Sequence, residues 1–191
     1  MKIEWGAVVR PKQGQTVSGD VYIVVEAKDQ SILVAVIDGL GGGQEAAHAA
    51  TLAANVFRDN SHMPLQELVK LSHSHLHSTR GAVASLLRLY ADGVRASYVG
   101  VGNIGAQVYS TQAIKPISKN GILGFKLPSL LELQYTYARG DIFVLYSDGI
   151  SSSFSYDNKV DLTQPAQQIA ESILSKYGKL SDDASVIVVK T

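Results

Sequence analysis

Apolar residues run unbroken through positions 32–37 and stop at Asp38-Gly39. A run of this length ending at a turn signal predicts a buried strand. Glycines follow at Gly41, Gly42 and Gly43, and then an alanine-rich stretch of good helix formers, 44–58. Strand, tight loop and helix are the reading of this region. Asp38 then closes a buried strand, where a carboxylate is costly unless something pairs with it. The glycines let a ligand approach the backbone closely. The pattern points to a metal or phosphate facing Asp38; the plainer alternative is a turn residue capping the helix.

The same reading extends along the chain. Strands are expected at 3–9, 21–27, 82–90, 95–101, 104–110, 131–138, 142–146 and 184–189. Helices are expected at 44–58, 64–76 and 163–177, with Pro64 in the first turn of the second, Thr163 capping the third and Gly178 stopping it. Asp92-Gly93 reads as a hairpin turn. The stretch 112–128 is irregular, and the polar stretch 151–161 is expected to be a loop over the site. Strands 21–27 and 32–37, joined by the short turn 28–31, pair antiparallel, which brings Asp20 and Asp38 to one sheet end. Many strands, two consecutive helices and a late third favour an α+β layered fold over an alternating parallel one.

At 191 residues, one domain spanning 1–191 is expected. Lys+Arg 17 balances Asp+Glu 17, so the chain has no electrostatic footprint for nucleic acid or an anionic membrane. It has no cysteine, which removes disulfides, thiolate chemistry and Cys-bound zinc. The N-terminal segment is short and polar for a signal peptide, and no apolar run approaches the roughly 20 residues that span a bilayer. The expectation is a cytoplasmic protein with neither nucleic acid nor membrane as partner.

Candidate chemistry lies in the acidic residues. Asp20, Asp38, Asp148 and Asp182 each stand at a strand end. Gathered in one cleft they would repel one another unless cations sat among them. Hard ions such as Mg²⁺ or Mn²⁺ choose all-oxygen ligands, and two of them about 3.5–4 Å apart can clamp a phosphate and activate water. Four unrelated turn aspartates are the alternative. Strand alternation points Asp183 away from Asp182, and Asp141 and Asp92 read as structural turn residues. His73 and His77 share a helix face, but HExxH is absent, and the run reads as a solvated helix end near Arg80. His48 reads as a packing residue. GLGGG lacks the lysine of a nucleotide-phosphate loop.

SGD at 18–20, IDGLGGG at 37–43, YSDGI at 146–150 and DDASVIVV at 182–189 occur in the order seen in PP2C-type (PPM) metal-dependent Ser/Thr phosphatases. RGAVASLL at 80–87 and VGVGNIGAQVY at 99–109 resemble that family's internal strands. The SGD, DGxGxG, GN and DDA(S/T) variants are similar to those of the SpoIIE-like bacterial branch. The resemblance implies a four-layer αββα sandwich, two antiparallel sheets flanked by helices, with two Mn²⁺ or Mg²⁺ ions at one end. It implies Asp38, Asp148 and Asp182 as catalytic residues. As metal ligands it implies Asp38 bridging, the Gly39 carbonyl, Asp148 and Asp182, with Asp20 binding directly or through water. The implied reaction is attack of a metal-activated water on a phosphoserine or phosphothreonine, in line and without a phosphoenzyme. The family's phosphate-binding arginine corresponds to Arg10 or is replaced by Lys12; Arg10 as an ordinary surface charge is the alternative. The histidine that many members carry after the first DG is Leu40 here, which leaves protonation of the leaving group to a metal-bound water or to nothing. The implied partners are phosphorylated regulatory proteins, stressosome STAS-domain proteins first. The alternatives are an anti-sigma-factor antagonist as substrate, or a non-catalytic binding module on the same fold.

Overall fold

The computed structural model describes residues 3–191; Met1 and Lys2, the start of the segment weighed as a leader, lie outside the described residues. Strands β1 (Glu4–Arg10), β2 (Asp20–Glu26) and β3 (Ile32–Gly39) are followed by helices α1 (Gly43–Asp59) and α2 (Leu65–His75). Strands β4 (Ala82–Leu89), β5 (Arg95–Val101), β6 (Gly105–Tyr109), β7 (Ser118–Lys119), β8 (Leu133–Thr136) and β9 (Ile142–Tyr146) come next. A 3₁₀ turn (Ser152–Ser155), α3 (Ala166–Tyr177) and β10 (Ala184–Lys190) complete the order.

The strands form two sheets, ordered β1-β10-β9-β6 and β2-β3-β4-β5-β7, with β8 also on β5. Pairing is antiparallel throughout except for the two-residue β5–β7 ladder, which is parallel. The unbroken apolar run of β3 follows from its place between two layers. Leu33, Ala35 and Ile37 pack with Ala50, Ala53, Phe57, Leu65 and Leu68 of α1 and α2. Ile32, Val34 and Val36 pack with Phe143, Leu145, Ile187 and Val189 of the other sheet. The far face of that sheet, Ile142, Val144, Val186 and Val188, meets Ala166, Ile169, Ala170 and Ile173 of α3. Successive side chains of a strand point to opposite faces, so a strand in the middle of a helix–sheet–sheet–helix stack has no polar face. The αββα sandwich is therefore the observed architecture.

Two local expectations change. Thr163 does not cap α3. Its N–H and hydroxyl both bond to Asp161 Oδ1 (3.0 and 2.6 Å), and Pro165 takes the cap position. A proline there gives up an N–H that has no intrahelical partner in any case. The 151–161 stretch does not cover the carboxylates either. Phe154 is buried beside Tyr146 and Tyr177, and Tyr177 Oη donates to Asp157 (2.5 Å), which fastens the stretch to α3.

Backbone contact seats α3 on β1. A Cβ placed on Gly6 would lie 2.2 Å from the Gln167 nitrogen and 2.3 Å from its Cα. Main chain cannot yield as a flexible side chain does, so Gly6→Ala is expected to destabilise the fold by about 3 kcal/mol or more. Urea denaturation checks this; a midpoint equal to wild type would mean that α3 does not rest on this strand.

Candidate active site

Three separate segments meet at one end of the two sheets. In the β2–β3 ladder Asp20 lies directly opposite Asp38, as the hairpin requires. Asp148 follows β9, Asp182 precedes β10, and these two strands are antiparallel neighbours. Ser147 ties them just below the site: its N–H donates to the Ser185 carbonyl and its hydroxyl accepts the Ser185 N–H, both at 3.0 Å. Asp38, Asp148 and Asp182 line an open cleft of about 610 Å³ with Leu40, Gly41, Asn103 and the 120–126 segment. Asp20 is 4% exposed and lies inside, beside Asp38. Gly39 is buried and donates its N–H to the Gly19 carbonyl at 3.0 Å.

The cleft is electrostatically unfavourable as it stands. Burial, then the charges of Asp20, Asp148, Asp182 and Asp183, push the Asp38 carboxyl up to about 8. Burial is also the main cause at Asp20, raised to about 6, with Asp183 and Asp148 adding to it. The Ser147 and Ser185 hydroxyls temper that rise, yet neither Asp20 oxygen has a well-shaped hydrogen bond. Asp148 is raised by burial and by Asp182, and lowered by Lys179, whose Nζ donates to the Asp148 carbonyl at 2.6 Å. Asn103 Nδ2 donates to Asp148 Oδ2, a contact the sequence reading did not foresee.

Hard divalent cations fit this donor set. The two orphaned Asp20 oxygens and the mutual repulsion of the carboxylates are both relieved by cations among them. Among the described residues no three His, Cys, Asp or Glu side chains stand close enough together to hold one ion by themselves. An open ring of carboxylates suits ions that keep several waters, as Mg²⁺ does.

A family profile described as Stage II sporulation protein E (SpoIIE) matches residues 28–191. The chain belongs to the SpoIIE family. It is 23% identical to the phosphoserine phosphatase RsbX of Bacillus subtilis (strain 168) over 179 residues, 93% of this chain and 89% of RsbX. A solved RsbX structure in complex with magnesium superimposes with a TM-score of 0.85 at 22% identity, covering 98% of this chain and 94% of that one. A structure described as the bacterial stressosome, a modular system adapted to control secondary messenger signaling, gives a TM-score of 0.90 at 34% identity with 100% of both chains covered. The catalytic domain of the serine/threonine phosphatase PstP, solved with 2 manganese ions, gives 0.72 at 17% identity over 98% of this chain and 97% of that one. The SpoIIE family fold is thus the PP2C-type phosphatase fold.

The remaining candidates fall in different places. Arg10 Nη2 donates to the Lys179 carbonyl at 2.6 Å, and its guanidinium lies against Gly178, outside the cleft lining. Lys12 Nζ lies against Gly42 of the glycine loop. Asp183 does turn away from Asp182: its carboxylate accepts the N–H groups of Gly19 and Lys12, each at 2.8 Å. Asp141 is structural, accepting from Ser110 Oγ and the Ala138 N–H. His48 is exposed, in a shallow hollow with Glu45 and Arg80, and does not pack in the core. The largest feature missed is the cleft wall formed by Asn120, Gly121, Ile122, Phe125 and Lys126. The proline and glycine punctuation of 112–128 marked a turn there but not where it would fold.

Two measurements test this site. Asp183→Ala orphans two backbone N–H groups and is expected to cost about 2–4 kcal/mol in urea denaturation; a loss below about 0.5 kcal/mol would remove Asp183 as the clasp. The second is pH. With folded values of about 6 and about 8 against 3.8 unfolded, the folded chain binds more protons than the unfolded chain across that window. Stability of the chelator-treated protein therefore falls as pH rises from about 4 to about 8. Saturating Mn²⁺ is expected to cancel that slope, and Asp38→Asn to raise the metal-free Tm at about pH 7.5 by about 2–6 °C. A Tm that rises with pH in chelator would contradict the repulsion.

Proposed function

We propose that this protein is a metal-dependent phosphoserine/phosphothreonine protein phosphatase whose substrates are phosphorylated STAS-domain proteins of a stressosome. One observation carries the reading: Asp38, Asp148 and Asp182 line a single open cleft, with Asp20 opposite Asp38 and both its oxygens unsatisfied. Membership of the SpoIIE family supports the phosphatase class. The full-length similarity to a structure described as the bacterial stressosome supports the substrate class.

Asp38, Asp148 and Asp182 would hold two divalent ions, Mn²⁺ or Mg²⁺, with the Gly39 carbonyl as a further oxygen and Asp20 binding directly or through water. Bound there, such ions acidify water and screen the charge of the phosphate. The chain's own groups orient and constrain. Asn103 Nδ2 fixes one oxygen of the Asp148 carboxylate, and Lys179 Nζ fixes the main chain that carries it. Gly41, at φ +94°, turns the chain at the cleft edge with the Arg80 guanidinium against it, and Lys12 lies against the neighbouring Gly42, so both cations stand near where a phosphate would enter. Direct in-line attack by water, without a phosphoenzyme, is the reading that the PP2C-type resemblance supplies. Leu40 lines the cleft and has no proton to give, so the departing serine oxygen takes its proton from water. Localisation in the cytoplasm belongs to the same reading. Among the described residues no helix is long and apolar enough to cross a membrane.

The test is hydrolysis of p-nitrophenyl phosphate and of a phosphoserine-bearing STAS-domain protein after chelation, with and without added Mn²⁺. Turnover that needs Mn²⁺ is expected, with kcat/KM lower by about a hundredfold or more in Asp38→Asn and Asp148→Asn. A folded protein that turns over neither substrate with Mn²⁺ or Mg²⁺ would be a binding module and not an enzyme.

A further inference from the structure

The histidine run, which the carboxylate chemistry leaves unused, stands directly behind the cleft wall. His73 lies in the last turn of α2 and His77 just beyond it. His73 Nδ1 accepts the backbone N–H of Gly124 at 3.0 Å. His77 Nδ1 bonds to the carbonyl oxygen of the same residue at 3.0 Å. The two rings meet edge to face with centroids 4.7 Å apart. One residue is thus gripped at both of its backbone polar groups by two neighbouring imidazoles.

Gly124 is the hinge point of a tight turn. Its φ is +90°, and a Cβ there would lie 2.6 Å from the Leu76 carbonyl oxygen, so the turn rests on the main chain that ends α2. Ile122 and Lys126 exchange backbone hydrogen bonds at 2.8 and 2.9 Å, which closes the turn. Leu123 and Ala82 exchange two more, at 2.8 and 3.1 Å, which tie it to the start of β4. From this small frame Ile122, Phe125 and Lys126 face the cleft that Asp38, Asp148 and Asp182 share. Phe125 is 79% exposed and stands with Ile122 on the wall of the cleft, where an arriving chain would meet it. A phosphoprotein, unlike a small aryl phosphate, carries chain on both sides of its phosphate that would extend to this wall.

We propose that His73 and His77 are positioning residues, whose paired bonds to Gly124 set the 122–126 turn and so aim Phe125 and Lys126 at the phosphoprotein substrate. This rests on the phosphatase reading for its effect on substrate, but not for the bonds themselves. The partners assign the tautomers. His73 keeps its Nδ1 lone pair and carries hydrogen on Nε2; His77 donates from Nδ1. His77 is the titratable group acting on His73 through space, and the turn presents the Gly124 N–H. His75 is bonded to the Leu71 carbonyl, Arg80 is paired with Glu45, and Lys126 lines the cleft. Burial, and secondarily His77, hold His73 below the ordinary 6.5. The grip is therefore complete above about 6.5 and is lost as pH falls through the lowered value, because a proton on Nδ1 removes the acceptor.

The experiment uses the full chain with saturating Mn²⁺ and compares wild type, His73→Phe and His73→Asn. Asparagine places an acceptor oxygen near the Nδ1 position and does not titrate. Kinetics are run on p-nitrophenyl phosphate and phosphoserine-bearing casein, and amide exchange is followed at 120–126. In His73→Phe, KM for casein is expected to rise about fivefold, with kcat on p-nitrophenyl phosphate within about twofold of wild type. His73→Asn is expected to restore KM and to keep it flat down to about pH 5.5, where wild-type KM rises. Amide exchange at 120–126, corrected for intrinsic rate, should quicken in His73→Phe and in acidified wild type, but not in His73→Asn. Equal losses on both substrates in step with Tm, or exchange at Gly124 unchanged in His73→Phe, would overturn the proposal. If wild type hydrolysed neither substrate, the phosphatase reading would fail, and amide exchange alone would still decide the grip.

Discussion

Asp20 and Asp38 are held side by side by the backbone ladder of β2 and β3, at the one register that places two carboxylates opposite each other. Like charges directly across a strand pair are destabilising, and burial makes this pair worse. A one-residue slip would part them, but it would also turn Leu33, Ala35 and Ile37 away from α1 and α2, and the core forbids that. The hydrophobic sandwich thus enforces a charge arrangement that the charges themselves oppose. Asp148 and Asp182 join it because β9 and β10 are neighbours in the second sheet. The site is where the ends of two independently specified sheets coincide.

That coincidence depends on close main-chain approaches. A Cβ on Gly39 would lie 2.0 Å from the Ala46 carbonyl oxygen, and one on Gly149 would lie 1.9 Å from the Asp183 carbonyl oxygen. Glycine here brings helix α1 onto the end of β3, and the Asp148 turn onto the start of β10. Asp183 then works as a clasp: it spends its carboxylate on the N–H groups of Gly19 and Lys12 and so fixes the segment that leads into Asp20. Adjacent aspartates at 182 and 183 divide the labour, one open to the cleft and one holding the loops around it.

Legibility in the sequence followed the range of the forces involved. The β2–β3 hairpin, the opposition of Asp20 to Asp38, both central helices and the layered class follow from local periodicity and short turns, and all are observed. The four-layer arrangement came from ordered motifs whose family the SpoIIE match bears out. What stayed hidden depended on contacts distant in sequence. His73 and His77 look like a solvated helix end because their partner, Gly124, is about 50 residues away. The 151–161 stretch looked like a lid because its polarity is local, while Phe154, its anchor to α3, is one residue in a serine-rich run. Thr163 had the right chemistry for a cap, but Asp161 two residues earlier captured it.

The distribution of positive charge around the cleft follows from the same architecture. Arg10 ends β1 and pairs with Ala184 at the start of β10, so its side chain is taken by the turn after α3. A strand-borne arginine at that place serves the Lys179 carbonyl and not the cleft. The cations beside the acidic floor come from loops and turns: Lys12 against Gly42, Arg80 against Gly41, and Lys126 on the wall. Arg80 is neutralised in part by Glu45 of α1. A floor built by strands and cations supplied by loops separates the two demands on such a site. The carboxylates must be rigid to hold their geometry against repulsion, whereas the groups that meet an incoming protein must follow its surface. The 122–126 turn combines both, a loop by position but tied by backbone bonds to β4 and by two imidazoles to α2.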